Sequence, residues 1–460
     1  MKNFYRNILC KMLFVLLISA LSFQLNAKCK LDRKKSSAYN TNKDTIVTEL
    51  KSALKSEFDL FYPLSIDTLD GGYFSDINYK WQLQGKQNKM IVTQARHIWS
   101  NANASIYYKK KEPYLKYARH GLEFLKNKMW DKKYGGFFDL VNREGKPLGD
   151  NGKIMKQAYG NAFAIYGLAA YYDAFRDTAA LHLAQKTFYW MDKHSYDPKY
   201  GGYFQFMKRD GTPYKDGYLG TPPKDQNSMI HILEAFTELY KVWHNTLVKE
   251  RLSSLFYLIR DTAIGSKPYL TLFFQRDWKP LSYRDSSRDV WRKHIELDKI
   301  SYGHNVETAY LLLEASDALG IKDDTKTIQV GKAMDDFALA HGWDNVHGGI
   351  YDGGYQFKGE DSVMVVQTTK QWWNQIEALN SFLMMSQIFP NDKHNYYDKF
   401  CRQWQYIKEY LIDHKYGGWY WNSIDTDPHA RLMPKATIWK CNYHTTRGLI
   451  NCIRRLESER

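Results

Sequence analysis

Lys199-Tyr200-Gly201-Gly202-Tyr203-Phe204 is one copy of a phrase that recurs along the chain: a polar turn, two glycines, then aromatic or β-branched residues. The other copies are Asp70-Gly71-Gly72-Tyr73-Phe74, Lys133-Tyr134-Gly135-Gly136-Phe137-Phe138, His347-Gly348-Gly349-Ile350-Tyr351 and Lys415-Tyr416-Gly417-Gly418-Trp419-Tyr420. Their first glycines stand at 71, 135, 201, 348 and 417, so the intervals are 64, 66, 147 and 69 residues. The long interval is about two periods. It predicts a copy that has lost its glycines, at Leu270-Thr271-Leu272-Phe273-Phe274-Gln275-Arg276. Units of about 70 residues at a fixed spacing indicate a repeat architecture.

Between the phrases lie helical patterns, two to a unit. The clearest are Ala162 to Tyr172, Ile230 to Val242, Val306 to Leu319 (closed by Gly320) and Ile376 to Met385. The phrases themselves suit short hairpins, with Phe138 to Gly145 and Phe204 to Gly211 as examples. Six such units can build an open solenoid or a closed toroid, and periodicity alone does not choose between them. Six is a number at which helix pairs close. The expected fold class is therefore all-α, an (α/α)6 barrel with short β-hairpins between helices. Each unit would bury its apolar face on its neighbours, which lets the chain exceed the usual size of one core.

Residues 1–27 read as a secretory signal: Lys2, Arg6 and Lys11, then the apolar run Met12 to Phe23, then Leu25-Asn26-Ala27 as a cleavage site. The run is short for a membrane span, and no later stretch is long and apolar enough to be one. Residues 28–44 read as a polar linker and 45–460 as the catalytic domain. The expected location is secreted or periplasmic. Cys29 lies near the cleavage point, but Lys28 before it makes a poor lipoprotein junction.

The formal charge is +15. The lysines are interspersed with acids and form no long basic run, which reads as a solvated surface rather than a nucleic-acid site. The remaining cysteines show no C-x-x-C or zinc spacing. Cys441 and Cys452 read as buried free thiols that could pair only in an oxidising compartment.

Measured from the glycines, chemically capable residues fall at one place in each unit. Arg96 is 25 residues after Gly71, Tyr159 is 24 after Gly135, and Asn227 and His231 are 26 and 30 after Gly201. His304 is 31 after Phe273, Trp373 is 25 after Gly348, and His444 is 27 after Gly417. In a ring of helix pairs these equivalent positions share one end, so they predict one concave polar site. His304 and Glu307 stand at i and i+3 on one helical face, which suggests a carboxylate orienting an imidazole. Two histidines facing one carbon could act as base and acid. Arg96 could bind a developing oxyanion, and Trp373 and Trp439 offer flat faces to sugar rings. No second ligand pair accompanies His304 and Glu307, so no metal is expected. Asp335-Asp336 could serve glycoside hydrolysis, but reads more simply as a solvated helix face.

At Ala95-Arg96-His97-Ile98-Trp99, Asn227 to Ala235, Ser301 to Glu307, Trp372-Trp373-Asn374-Gln375-Ile376-Glu377 and Trp439 to His444, the chain resembles the cellobiose 2-epimerases of the N-acylglucosamine 2-epimerase superfamily. The resemblance covers nearly all of the chain that follows the expected signal. It implies an (α/α)6 barrel, no cofactor, and inversion at C2 of the reducing-end aldose of a β-1,4-linked disaccharide such as cellobiose or mannobiose. It further implies that His304 and His444 move the C2 proton through an enediolate. His231 would assist, Arg96 would stabilise the intermediate and Glu307 would support His304. Asn227, Tyr159, Trp373, Glu377 and Trp439 would hold the sugar, with the tryptophans nearest the second ring. Two departures stand out: Met229-Ile230-His231 replaces a common His-x-His, and Asn442 replaces a common proline. The expected partners are a disaccharide and no nucleic acid, and the expected state is a monomer, with a dimer as the alternative. The alternatives for function are aldose–ketose exchange on mannose, N-acylglucosamine 2-epimerisation, a glycoside hydrolase and a non-catalytic sugar binder.

Overall fold

A computed structural model describes residues 43–149 and 151–458. The expected signal, most of the expected linker and Cys29 lie outside the described residues. The chain divides into two units, Met1–Glu49 and Leu50–Arg460. Of the first, only the opening of helix α1 (Lys43–Phe61) is described, so helix already begins at the last two positions assigned to the linker.

The larger unit is built of helix pairs. One helix of each pair is almost wholly buried: α2 (Ile91–Tyr108), α4 (Ala158–Phe175), α6 (Gln226–Val242), α9 (Tyr302–Leu319), α11 (Trp372–Ile388) and α13 (Tyr443–Ser458). Each packs on the next, and α13 packs back on α2, so these six form a closed inner ring. The outer partners are α3 (Tyr114–Phe124), α5 (Thr178–His194), α7 (Thr246–Leu258), α10 (Thr325–His341) and α12 (Tyr396–Tyr410), and beside α13 lie Lys51 and Glu57 of α1, which bond to Glu457 and Thr445. Closure settles the choice that periodicity leaves open: the fold is an (α/α)6 barrel. An additional short helix, α8 (Arg288–Asp298), precedes α9.

The expected hairpins form: Leu148 N–H donates to Leu140 O and Tyr214 N–H to Phe206 O, and bridges Val141↔Pro147 and Met207↔Pro213 close them. Most of the regular strand pairs join successive repeats. Strand β1 (Lys89–Met90) pairs with β2 (Leu140–Val141), β3 (Met155–Gln157) with β4 (Phe206–Lys208), and β5 (Lys224–Asp225) with β6 (Phe273–Phe274). Strand β7 (Ile300–Ser301) pairs with β8 (Gly353–Tyr355), which pairs with β9 (Met364–Gln367). All are antiparallel. The β8–β9 pair is a local hairpin, and each other pair stitches the entry to one inner helix onto the segment that follows the next glycine turn.

Four residues before each Gly-Gly stands an aspartate: Asp67, Asp131, Asp197, Asp344 and Asp413. Each carboxylate accepts backbone N–H groups of its own turn and an ion pair from a buried lysine: Lys89 (2.9 Å), Lys156 (3.1 Å), Lys224 (3.1 Å), Lys370 (2.8 Å) and Lys435 (2.6 Å). Four of these lysines sit two residues before an inner helix, so the clip ties the turn to the helix start. The turn itself requires glycine. At Gly202 φ is +68°, and a Cβ there would clash with the Trp278 ring. Removing one partner of a buried pair strands the other charge. Lys156→Met should therefore cost about 3 kcal/mol in urea or thermal unfolding, toward the low end because Arg209 still faces Asp131 at 2.9 Å.

The degenerate copy departs from this pattern. Strand β6 at Phe273–Phe274 plays the part of β2 and β4, so the missing turn lies just upstream, around Gly265 to Tyr269. Leu270 N–H donates to Asn305 Oδ1, as Phe137 N–H does to Asn161. By position, Gly265 replaces the aspartate and Ile300 replaces the lysine: both halves of the clip are lost together.

Candidate active site

The inner helices present their first turns to one mouth of the ring. Tyr159, Asn227, Trp373 and His444 are each second in their helix, and His304 is third. One turn deeper, Arg96, His231, Glu307 and Glu377 are each sixth. A cavity of about 260 Å³ is lined by Arg96, Tyr159, Asn227, His231, His304, Glu307, Trp373, Trp439 and His444, with Gln371, Trp372 and Trp421. Nine of the ten residues singled out in the sequence therefore line one cavity. Trp439 is 45 % exposed at its rim. The tenth, Glu377, is fully buried below.

Glu377 corrects the expectation that it holds sugar. Its Oε1 lies 2.6 Å from His444 Nδ1 and 2.7 Å from Arg447, and its other oxygen accepts from Tyr310. It orients a histidine instead. Glu307 corrects a second expectation. It pairs with Arg447 rather than with His304. The physical reason is helix capping: Ser301 caps α9, and its Oγ takes His304 Nδ1 at 2.9 Å, while Gln226 Nε2 lies 3.2 Å from the same atom. Glu307, one turn down, reaches the ring axis.

Arg447, Glu234, Tyr310 and Tyr443 escaped the reading of the sequence. Arg447 is 3 % exposed and pairs with Glu234, Glu307 and Glu377. Glu234 in turn takes His231 Nδ1 at 2.9 Å and Tyr443 Oη at 2.6 Å. One guanidinium thus ties the carboxylates behind His231 and His444. Glu307, Glu377 and His444 lie close enough together to hold a cation, and the cation among them is Arg447 itself. His231 and Glu234 have the i, i+3 spacing that drew attention to His304 and Glu307, so that pair was legible.

Burial pushes both candidate imidazoles well below their ordinary range. At His304 the repulsion of His231, Lys299 and His444 adds to burial, and at His444 that of Arg96 and Arg447 does so. Burial raises the Glu377 carboxyl against the pull of Arg447. It would raise Glu234 too, but Arg447 and His231 outweigh it and hold that carboxyl well below the usual range. With Arg447 and Tyr310 donating to Glu377, His444 Nδ1 is the donor in its pair. Its Nε2 lone pair is then left for the cavity, as a base requires. The Ser301 hydroxyl can donate or accept, but Gln226 Nε2 can only donate, so His304 Nδ1 accepts and the neutral ring carries its proton on Nε2. If proton transfer needs a neutral imidazole, the acid limb of the pH–rate profile should fall below about 6.5, the value for free histidine.

Arg96 is 4 % exposed and pairs with no carboxylate among the described residues. It donates to Tyr159 Oη at 3.1 Å and to Trp439 O at 3.3 Å, its Nε has no partner, and its guanidinium lies 4.3 Å from the Phe163 ring centre. A buried cation without a counter-charge is held ready for an anion.

Asp335 and Asp336 do not form a hydrolytic pair, and they are not a shared solvated face either. Asp335 is fully buried and accepts from Ser381, while Asp336 pairs with Lys332. Cys401, Cys441 and Cys452 are buried free thiols.

A double ring of helix pairs with a histidine–carboxylate site at its mouth is the architecture of an α/α-barrel isomerase. The family model for N-acylglucosamine 2-epimerase matches residues 72–447, and the chain belongs to that family. The cellobiose 2-epimerase of Ruminococcus albus is 30 % identical over 417 residues, 89 % of this chain and 99 % of that protein. The solved structure of cellobiose 2-epimerase from Spirochaeta thermophila is 29 % identical with a TM-score of 0.77, covering 91 % of this chain and 98 % of that one. A D-mannose isomerase of Marinomonas mediterranea is 22 % identical over 86 % of this chain and 94 % of its own.

Proposed function

We propose that this protein inverts C2 of the reducing-end aldose of a β-1,4-linked disaccharide, interconverting glucose and mannose there. The observation that carries this reading is the pairing of His304 and His444. Both imidazoles line one cavity, and both flank the Trp373 ring, at 4.7 and 5.8 Å between ring centres. An open-chain aldose between them loses its C2 proton to one imidazole and receives a proton from the other on the opposite face. The negative charge on the enediolate oxygen falls to Arg96. Asn227 and Tyr159 supply hydroxyl contacts, and the exposed indole of Trp439 flanks the ring. The names of the cellobiose 2-epimerase relatives support the disaccharide.

Aldose–ketose exchange on mannose is the second reading, favoured by the mannose isomerase relative. It shares the enediolate and differs in returning the proton to C1. Incubation in D2O with cellobiose, mannobiose, mannose and N-acetylglucosamine separates the two. The proposal expects deuterium at C2 and the C2 epimer of a disaccharide by chromatography. Ketose as the sole product, or monosaccharides released from the disaccharide, would sink it.

A further inference from the structure

The exposed charge of this chain is unevenly placed. Between residues 109 and 216, among the described residues, seventeen lysines and arginines are exposed against five exposed acids, Glu112, Glu123, Glu144, Asp210 and Asp216. Elsewhere in the described chain the exposed groups are closer to balance, eighteen cations against twelve acids. Pairing differs in the same way. Seven of those eighteen cations form ion pairs, Lys51 with Glu457 and Lys326 with Asp261 among them. Of the seventeen, Arg176 alone does so among the described residues, with Asp173 at 3.0 Å. Like charges gathered without partners repel one another, and a surface of opposite charge relieves that repulsion.

These positions are dispersed in the sequence, and the barrel gathers them on one side. They lie on the outer helices α3 and α5, on the links that lead into them, and on the two glycine turns that follow. The pieces touch one another. Lys186 Nζ of α5 lies 5.4 Å from the centre of the Trp130 ring, which precedes the Gly135 turn, and Trp190 Nε1 donates to Tyr134 O at 2.9 Å. Arg209 reaches back to Asp131 at 2.9 Å, and Tyr134, Lys193 and Lys215 line one open depression. Helix α5 alone runs 17 residues, about 25 Å. The basic side is therefore broad, and as the outer layer of a ring it is convex, which suits a flat partner rather than a strand or a helix.

The residue types point the same way. Fifteen of the seventeen cations are lysines. An ammonium on a flexible stem neutralises a field of charge without reading its geometry, whereas the arginine fork suits bidentate recognition of single phosphates. Tyr134, Tyr189 and Tyr200 stand exposed among the lysines, and such amphipathic rings favour the headgroup level of a bilayer. We propose that this side of the barrel docks on a membrane surface rich in anionic lipid headgroups. The contact is peripheral. The catalytic mouth opens at the end of the ring rather than on its side, so it stays open to solution when the protein is bound.

The test is sedimentation of the full chain with vesicles of phosphatidylcholine alone and of phosphatidylcholine mixed with phosphatidylglycerol. Binding should appear only on the mixed vesicles and weaken with added salt, which screens exposed charges beyond about 8 Å at physiological strength. One lysine near an anionic leaflet strengthens partitioning about fivefold. Lys132→Gln, Lys133→Gln, Lys193→Gln and Lys199→Gln together should therefore weaken binding about a hundredfold. The matched set Lys249→Gln, Lys267→Gln, Lys293→Gln and Lys322→Gln removes the same charge from exposed positions on later units and should weaken it no more than about fivefold. None of these eight lysines forms an ion pair among the described residues or lines the catalytic cavity, so both variants should keep the unfolding midpoint of the unaltered protein. Equal losses in the two sets would make net charge, not this face, the cause and would overturn the proposal. So would equal binding to both kinds of vesicle, or no binding to mixed vesicles at low salt. A preference for duplex DNA over mixed vesicles at equal phosphate concentration, abolished by the first set, would give the face to nucleic acid and overturn the membrane reading.

Discussion

His304→Ala and His444→Ala should each lower kcat by roughly 10²–10⁴-fold, the usual contribution of a positioned proton-transfer group. C2 deuterium incorporation should collapse with it. The expected split is in kcat rather than KM, because neither ring is the main surface for the sugar. The two variants should also differ. His444 Nδ1 is fixed by a carboxylate at 2.6 Å, whereas His304 Nδ1 meets the Ser301 hydroxyl and the donating amide nitrogen of Gln226. Exchange of the C2 proton without epimerisation in one variant would show that the surviving histidine still removes a proton while none is returned from the other face. Full turnover in both variants would end the two-histidine mechanism. The folds should persist, since each ring opens on a cavity and neither fills the core.

Arg447→Met should have the largest effect on stability, about 3–5 kcal/mol. The substitution leaves Glu234, Glu307 and Glu377 buried together with no cation between them. Like charges at this spacing push protons onto the group, so the loss should shrink at low pH, where one carboxyl is neutral. Activity should fall as well, because Glu377 and Glu234 hold His444 and His231. Adding Glu307→Gln removes one stranded charge without touching either histidine's partner. The double variant should recover part of the stability, a coupling that a double-mutant cycle measures directly. No coupling between the two positions would contradict the network.

The fold and the gathering of the site were both legible in the spacing of the glycines. What the spacing could not supply was direction within the site. The apolar patterns place the inner helices at Ala162, Ile230, Val306 and Ile376, each four residues after the observed start at Ala158, Gln226, Tyr302 and Trp372. The reason is physical. The first turn of each helix faces the cavity, so it carries polar and aromatic residues that break the apolar period. Glu307 shows the second limit. Spacing of i, i+3 puts two side chains on one face, but a capping serine and an arginine 140 residues away decide whether they meet. Arg447 was invisible for the same reason: its three partners come from three other helices. The resemblance to sugar epimerases rested on the motifs themselves, and the family match across 72–447 agrees with it.

The lost clip in the fourth turn sets His304 apart. Every other glycine turn is bolted to its neighbour through a lysine and an aspartate, and those bolts are costly to remove. At Gly265 and Ile300 the bolt is absent, and the helix that follows carries His304. The seam is filled by α8, whose Trp291 packs with Tyr355 and Phe357, and by Glu296, Lys299 and Gln367, which hydrogen-bond to one another. A barrel with one unbolted joint can lengthen, shorten or reshape the chain there while the other five joints keep the ring closed. Relatives that differ in the sugars they accept should therefore differ most between residues 264 and 300 and in the strand facing them, and least at the five bolts.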